Sequence, residues 1–253
     1  MPRIARDAPV VNSCTTGAPT FSEVPARCAG RRFGTALILS NDVGKPLLAH
    51  ILGQGPQGPL RSCDIYKETG QASSLRLTPR GPRPRMCHAI TDLGPGGYLL
   101  TGGRMSPADG LQDSWLFRKD ANEWARTHDL PSPIYRHSTV RLGDSYLTLL
   151  AGGKTGVSQL SDKILLRHPV RGWVACAVSS PFRPIPVFGA VLVCTGQSGG
   201  NDSDGRGRMV FQGLLCGGMM GDGTVARQVV QWQLDVTDLE VYVVVGRLAG
   251  EEC

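Results

Sequence analysis

Residues 98–117, YLLTGGRMSPADGLQDSWLF, and the stretch beginning at Tyr146, YLTLLAGGKTGVSQLSDKILL, are two copies of one unit. Gly102-Gly103 corresponds to Gly152-Gly153, Arg104 to Lys154, Leu111 to Leu160, Asp113 to Asp162 and Trp124 to Trp173. Ahead of each glycine pair, His88 corresponds to His137. The glycines are offset by 50 residues and the histidines by 49. A third copy ends in GLLCGG, with Gly217-Gly218 followed by Gln231-Trp232. A weaker one ends in HILGQG, with Gly53 and Gly55 followed by Asp64-Ile65-Tyr66.

Self-similarity at a period of about 50 residues is the signature of kelch-type propeller blades. The expected fold is therefore all-β, a partial kelch-type, galactose oxidase-like β-propeller with about four blades of four antiparallel strands. The repeated residues have physical tasks. A glycine pair ends an inner strand where the backbone needs positive φ or close approach. The downstream tryptophans, Trp124 and Trp173, can each cover a sheet face between neighbouring blades. One blade cannot bury both faces of its sheet, so stacking supplies the core. Composition agrees. Gly 33 and Pro 18 together make a fifth of the 253 residues, which suits short strands joined by turns.

Residues 1–30 lack periodicity and read as a linker or frayed terminus. The propeller is expected over 31–235. Blade one, about 31–84, looks poorly formed, because GQGPQGP stands where a glycine pair should be. Residues 67–85 read as a polar, Pro-rich connection. Blade two, about 86–134, has candidate strands at Ala89–Leu93, Tyr98–Thr101, Ser114–Phe117 and Glu123–Ala125. Blade three, about 135–186, has them at Ser138–Leu142, Tyr146–Ala151, Lys163–Leu166 and Gly172–Cys176. Blade four starts at VFGAVLV, carries GQSGGNDSDGRGR as a flexible loop by composition, and resumes at Met209–Cys216 and Gln228–Leu234. Residues 236–253 read as an irregular tail with at most an outer strand. No useful helical period appears.

The net charge of +6 permits an acidic partner without demanding one. The densest basic cluster is RLTPRGPRPR, residues 76–85. The eight cysteines, at 14, 28, 63, 87, 176, 194, 216 and 253, include no CxxC pair or zinc-finger spacing, so free thiols in a reducing compartment are expected. MPRIARDAPVVNSC lacks the apolar core of a signal peptide, and LEVYVVVGRL is far short of the roughly 20 residues that cross a bilayer. The expectation is a cytoplasmic protein with no membrane partner.

Arg104 and Lys154 follow their glycine pairs at equivalent positions, so both should face one way. They are candidates for binding phosphate or carboxylate, together with Arg85 and Arg136. The alternative is loop charge, or salt bridges to Asp113 and Asp162. His88 and His137 suggest structural hydrogen bonding, because catalytic residues are rarely duplicated blade by blade. No catalytic residue, metal site or cofactor site is assigned. Neither GxSxG nor GxxxxGK[ST] occurs.

The wording around the repeats, RMCHAITDL…YLLTGGRMSP…LQDSWLF…W…LP, then YRHSTVRLGDS…GGK…SDKILL…GW, then FGAVLV, resembles the kelch region of the tRNA wybutosine-synthesizing protein 4 family, a member of the leucine carboxyl methyltransferase-like group. The likeness covers about 31–235 and is strongest over 85–176. It implies a tRNA-processing enzyme that uses S-adenosyl-L-methionine to methylate and methoxycarbonylate the wybutosine precursor beside the anticodon of phenylalanine tRNA. In that family a methyltransferase domain precedes the propeller. No βαβ unit with a Gly-rich first turn occurs here, so the family's cofactor-binding and methyl-transfer residues have no counterpart. The family's propeller also has more than four blades, which implies a fragment, truncated gene model or decayed paralogue. On this reading the partner is phenylalanine tRNA through the full-length enzyme. The alternative is a kelch adaptor for a protein partner.

Overall fold

Tyr98–Thr101 and Thr148–Ala151 are buried at every position, so both of their faces are covered instead of one. A strand with that pattern needs a layer on each side. In the computed structural model each lies second in a four-stranded antiparallel sheet, and the sheets stack face to face as propeller blades. The structure describes residues 30–40, 46–67, 72–76, 80–119, 121, 123–178, 186–201, 207–227, 229–237 and 240–247. Of the expected linker, residues 1–29 lie outside them.

Blade one pairs Thr35–Ser40, Pro46–Ile51, Ser62–Lys67 and Ala72–Arg76 in chain order. Blade two pairs Ala89–Asp92, Tyr98–Thr101, Ser114–Arg118 and Glu123–Arg126. Blade three pairs Ser138–Arg141, Thr148–Ala151, Leu165–His168 and Gly172–Ala175. Blade four pairs Val191–Asn201, Gly207–Cys216, Val229–Thr237 and Glu240–Arg247, and Ala177–Val178 adds a parallel fifth strand at its outer edge. Among the described residues the sole helical segment is a 3-10 turn at Gly94–Gly96.

Two expectations are corrected. Blade one is a complete four-stranded sheet, and Ala72–Arg76 is a strand inside the supposed connection. Leu52 takes the place of the first glycine at φ 56°, followed by Gly53 at φ 96°. The Gly-rich stretch of blade four is not all loop. Gln197–Asn201 pairs with Gly207–Phe211, because ladder bonds need no side chains. Within the expected tail, Glu240–Arg247 is the outer strand that the sequence allowed, pairing along the third strand of blade four.

Apolar clusters fill the seams. Leu37, Ala49, Ile51 and Cys63 of blade one meet Tyr98 and Leu100 of blade two, with Trp115, Phe117 and Trp124 packed on them. Leu142, Leu149 and Leu166 of blade three meet Leu192, Phe211, Trp232 and Leu234 of blade four. Trp173 packs on Leu130, Ile134, Leu150 and Leu165. Each fully buried leucine contributes about 1.5–3 kcal/mol.

Backbone bonds repeat at every step around the inner strands. Gly53, Gly103 and Gly153 donate their N–H groups to Arg85, Ile134 and Val187 of the next repeat, at 2.8, 2.8 and 2.7 Å. Just before the inner strands, Cys87 N–H donates to Phe33 O, Arg136 N–H to Cys87 O and Gly189 N–H to Arg136 O, each at 2.8 Å. This line of bonds fixes Phe33, Cys87, Arg136 and Gly189 at φ 58°, 57°, 56° and 69°. Gly102 needs its glycine, since it stands at φ 53° and a Cβ there would lie 2.3 Å from Ile134 O.

Candidate nucleic-acid interface

The four left-handed residues and the residues after the glycine pairs lie at one end of the inner strands, joined by isolated bridges. Arg32 pairs with Gln54, Met86 with Arg104, Tyr135 with Lys154 and Phe188 with Met219. The repeat thus sets Arg104 and Lys154 in equivalent places, as the glycine spacing implies.

Both cations rest on aromatic faces. Arg104 Cζ lies 4.8 Å from the centroid of Tyr135, and Lys154 Nζ lies 4.9 Å from that of Phe188. Arg136 Cζ is 5.3 Å from the centroids of both Phe33 and Phe188, and Arg32 Cζ is also 5.3 Å from Phe33. Arg32, Phe33, Arg136, Phe188 and Lys154 therefore form a continuous row in which cation and ring alternate. Among the described residues Arg32, Arg104, Arg136 and Lys154 have no carboxylate partner. A guanidinium stacked on a ring keeps its N–H edge free for an anion. Tyr135 and Phe188 are buried, whereas Phe33 is 43% exposed.

Arg85 is corrected. Its side chain is fully buried, and it donates to both oxygens of Asp113 at 2.7 Å and to Gly102 O at 2.9 Å. Burial raises the Asp113 carboxyl, but hydrogen bonding and charge from Arg85, and the Trp115 indole at 2.6 Å, outweigh it and hold the carboxyl below its ordinary value. Arg85 ties the entry of blade two to its third strand and does not reach a ligand. It also occupies Asp113, so Arg104 makes no salt bridge there. Asp162 is exposed and has no ion pair with Lys154 among the described residues. Arg31, the repeat equivalent of Arg85, is likewise buried against Asp64.

His88 and His137 are buried in the seams. Burial lowers both imidazoles from 6.5 to about 3, with the charge of Arg85 adding to the effect on His88. His137 Nε2 shares a 2.8 Å hydrogen bond with Thr101 Oγ1. His88 has no ring hydrogen bond among the described residues, so structural hydrogen bonding holds for His137 alone. Cys63, Cys87, Cys176, Cys194 and Cys216 are free thiols, and burial pushes Cys63 up to about 11 and Cys176 up to about 12. Cys14, Cys28 and Cys253 lie outside the described residues. Among the described residues no group of three His, Cys, Asp or Glu side chains could hold a metal, and no helix is long and apolar enough to cross a membrane. They also contain no βαβ unit.

Sequence reasoning missed Phe33, Arg32 and Phe188. The available signal was their place in the repeat. Aligned on the left-handed position, the preceding residues are Arg32, Met86, Tyr135 and Phe188, three of them cationic or aromatic.

The family model for the tRNA wybutosine-synthesizing protein 4 β-propeller matches residues 82–248. The chain belongs to this family. A tRNA wybutosine-synthesizing protein 4 from Gibberella zeae is 44% identical over 210 residues, which cover 83% of this chain and 20% of that protein. The Neurospora crassa protein of the same name is 37% identical over 86% of this chain and 19% of its own length. The Saccharomyces cerevisiae protein is 29% identical over 51% of this chain. The chain thus spans about a fifth of the length of the first two relatives, and what it matches is their propeller part.

Proposed function

We propose that this propeller serves a cytoplasmic wybutosine-synthesizing enzyme by holding the anticodon loop of phenylalanine tRNA. The methyl and methoxycarbonyl transfers, with S-adenosylmethionine as methyl donor, belong to another part of such an enzyme. The observation that carries this reading is the family match over residues 82–248. The cations at this end of the inner strands support it physically. Arg104, Arg136 and Lys154 present positive charge without competing carboxylates among the described residues, as phosphate contacts require.

In this role the propeller makes and breaks no bond. It lowers the cost of orienting a large substrate, which is a proximity contribution to the transfer step. The test is electrophoretic or calorimetric titration of the 253-residue chain with phenylalanine tRNA, alongside the variant Arg104→Ala/Lys154→Ala/Arg136→Ala. Binding by the parent and its loss in a folded variant supports the role. Equal binding by both removes these residues from it, and no binding by either removes the substrate-holding role.

A further inference from the structure

Phe33 occupies a position where the fold asks only for a backbone. Its carbonyl accepts the Cys87 N–H, and the equivalent residue of blade four makes its own bond in the series as Gly189 at φ 69°. Glycine suffices there, and a β-carbon at φ 58° is strained. Of the side chains retained at this position, Cys87 is buried beneath the mouth with Met86 and Tyr135. Phe33 instead stands 43% exposed at one end of the cation row, with Arg32 and Arg136 each 5.3 Å from its ring centroid. Among the described residues this exposed ring, on a strained backbone, joins none of the buried apolar clusters, and the cations that flank it have no carboxylate partners.

We propose that Phe33 is a stacking platform for an unpaired RNA base, with Arg136 and Lys154 taking the phosphates beside it. This rests on the tRNA-holding reading and deepens it, because it names single-stranded RNA, not duplex, as what the row recognises. An aromatic ring offers a base a π-face only when that base has left its helix. Interleaved cations neutralise the backbone that carries it. A duplex presents phosphates alone, so it gains the charge contacts and not the stack. Such recognition tolerates different base identities, since every base has a π-face.

The experiment measures binding of the 253-residue chain to a fluorescent RNA hairpin with 2-aminopurine in its loop, and to a blunt duplex of equal charge. The hairpin is expected to bind at least about tenfold more tightly, with its fluorescence quenched on binding. Phe33→Gly is expected to weaken hairpin binding about five- to a hundredfold and abolish the quench. It should leave duplex binding alone and leave the melting temperature unchanged or higher, because glycine relieves the strained φ. Phe33→Trp should keep both binding and quench. Equal affinity for hairpin and duplex, or undiminished hairpin binding by Phe33→Gly, overturns the stacking proposal. If Phe33→Gly has no effect while the triple cation variant still loses tRNA, the tRNA-holding role stands and only the stack falls. If the parent binds neither RNA, both fall.

Discussion

Thr101 and His137 share a 2.8 Å hydrogen bond across the seam between blades two and three. One repeat earlier the equivalent positions are Ile51 and His88, and the imidazole has no partner among the described residues. The same seam is therefore built twice, once with a polar contact and once without.

This has a pH signature. Both imidazoles sit near 3 in the fold, against 6.5 ordinarily. Between those values the unfolded chain binds protons that the folded chain refuses. Stability is thus full above pH 6.5 and falls as pH drops toward 3, by up to about 1.4 kcal/mol per pH unit for each histidine. His88→Met removes one titrating group and a buried ring without a partner among the described residues. Its stability at pH 7 should hold within about 1 kcal/mol, and its pH slope below 6.5 should be shallower. Urea melts at pH 7, 6 and 5 check this, and an unaltered slope contradicts it.

Arg85 and Arg104 should separate sharply in melts. Arg85→Ala strands the Asp113 carboxylate in a mostly buried place and should cost about 3–5 kcal/mol. Arg104→Ala removes only a cation–ring contact at the mouth and should cost about 1 kcal/mol or less. Similar losses for the two would show that the buried pair does not hold blade two.

The glycine pairs are not equally constrained. A Cβ at Gly102 would lie 2.3 Å from the Ile134 carbonyl oxygen, whereas one at Gly217, φ 66°, meets nothing within 4 Å. Gly102→Ala therefore combines a strained φ with a backbone clash and should cost well over about 2 kcal/mol. Gly217→Ala carries only the strain, about 1–2 kcal/mol. Chemical denaturation of both variants gives the order, and a larger loss at Gly217 would contradict the packing of the inner strands.

Blades two and three were legible because their glycine pairs are spelled out and their inner strands are short apolar runs. Blade one was not, because Leu52 takes the left-handed conformation that composition assigns to glycine. The arms around Ser198–Gly200 were hidden because a Gly-rich sequence reads as linker while its backbone still pairs. Arg85 was misread because it ends a basic cluster that looks like surface, and its burial depends on Asp113, 28 residues away. Arg104 and Lys154 were placed by the repeat alone. The row that joins Lys154 to Phe33 was not visible, because it draws residues from blades one, three and four.

The most direct measurement of the account is the salt dependence of phenylalanine tRNA binding by the chain and by Arg104→Ala/Lys154→Ala/Arg136→Ala. Each phosphate of an unpaired strand that the variant no longer neutralises should flatten the plot of log affinity against log salt by about 0.7. The account predicts a slope shallower by about 2, with the melting temperature nearly unchanged. An unchanged slope in a folded variant would contradict it, because Arg104, Arg136 and Lys154 would then make no contact with RNA phosphates.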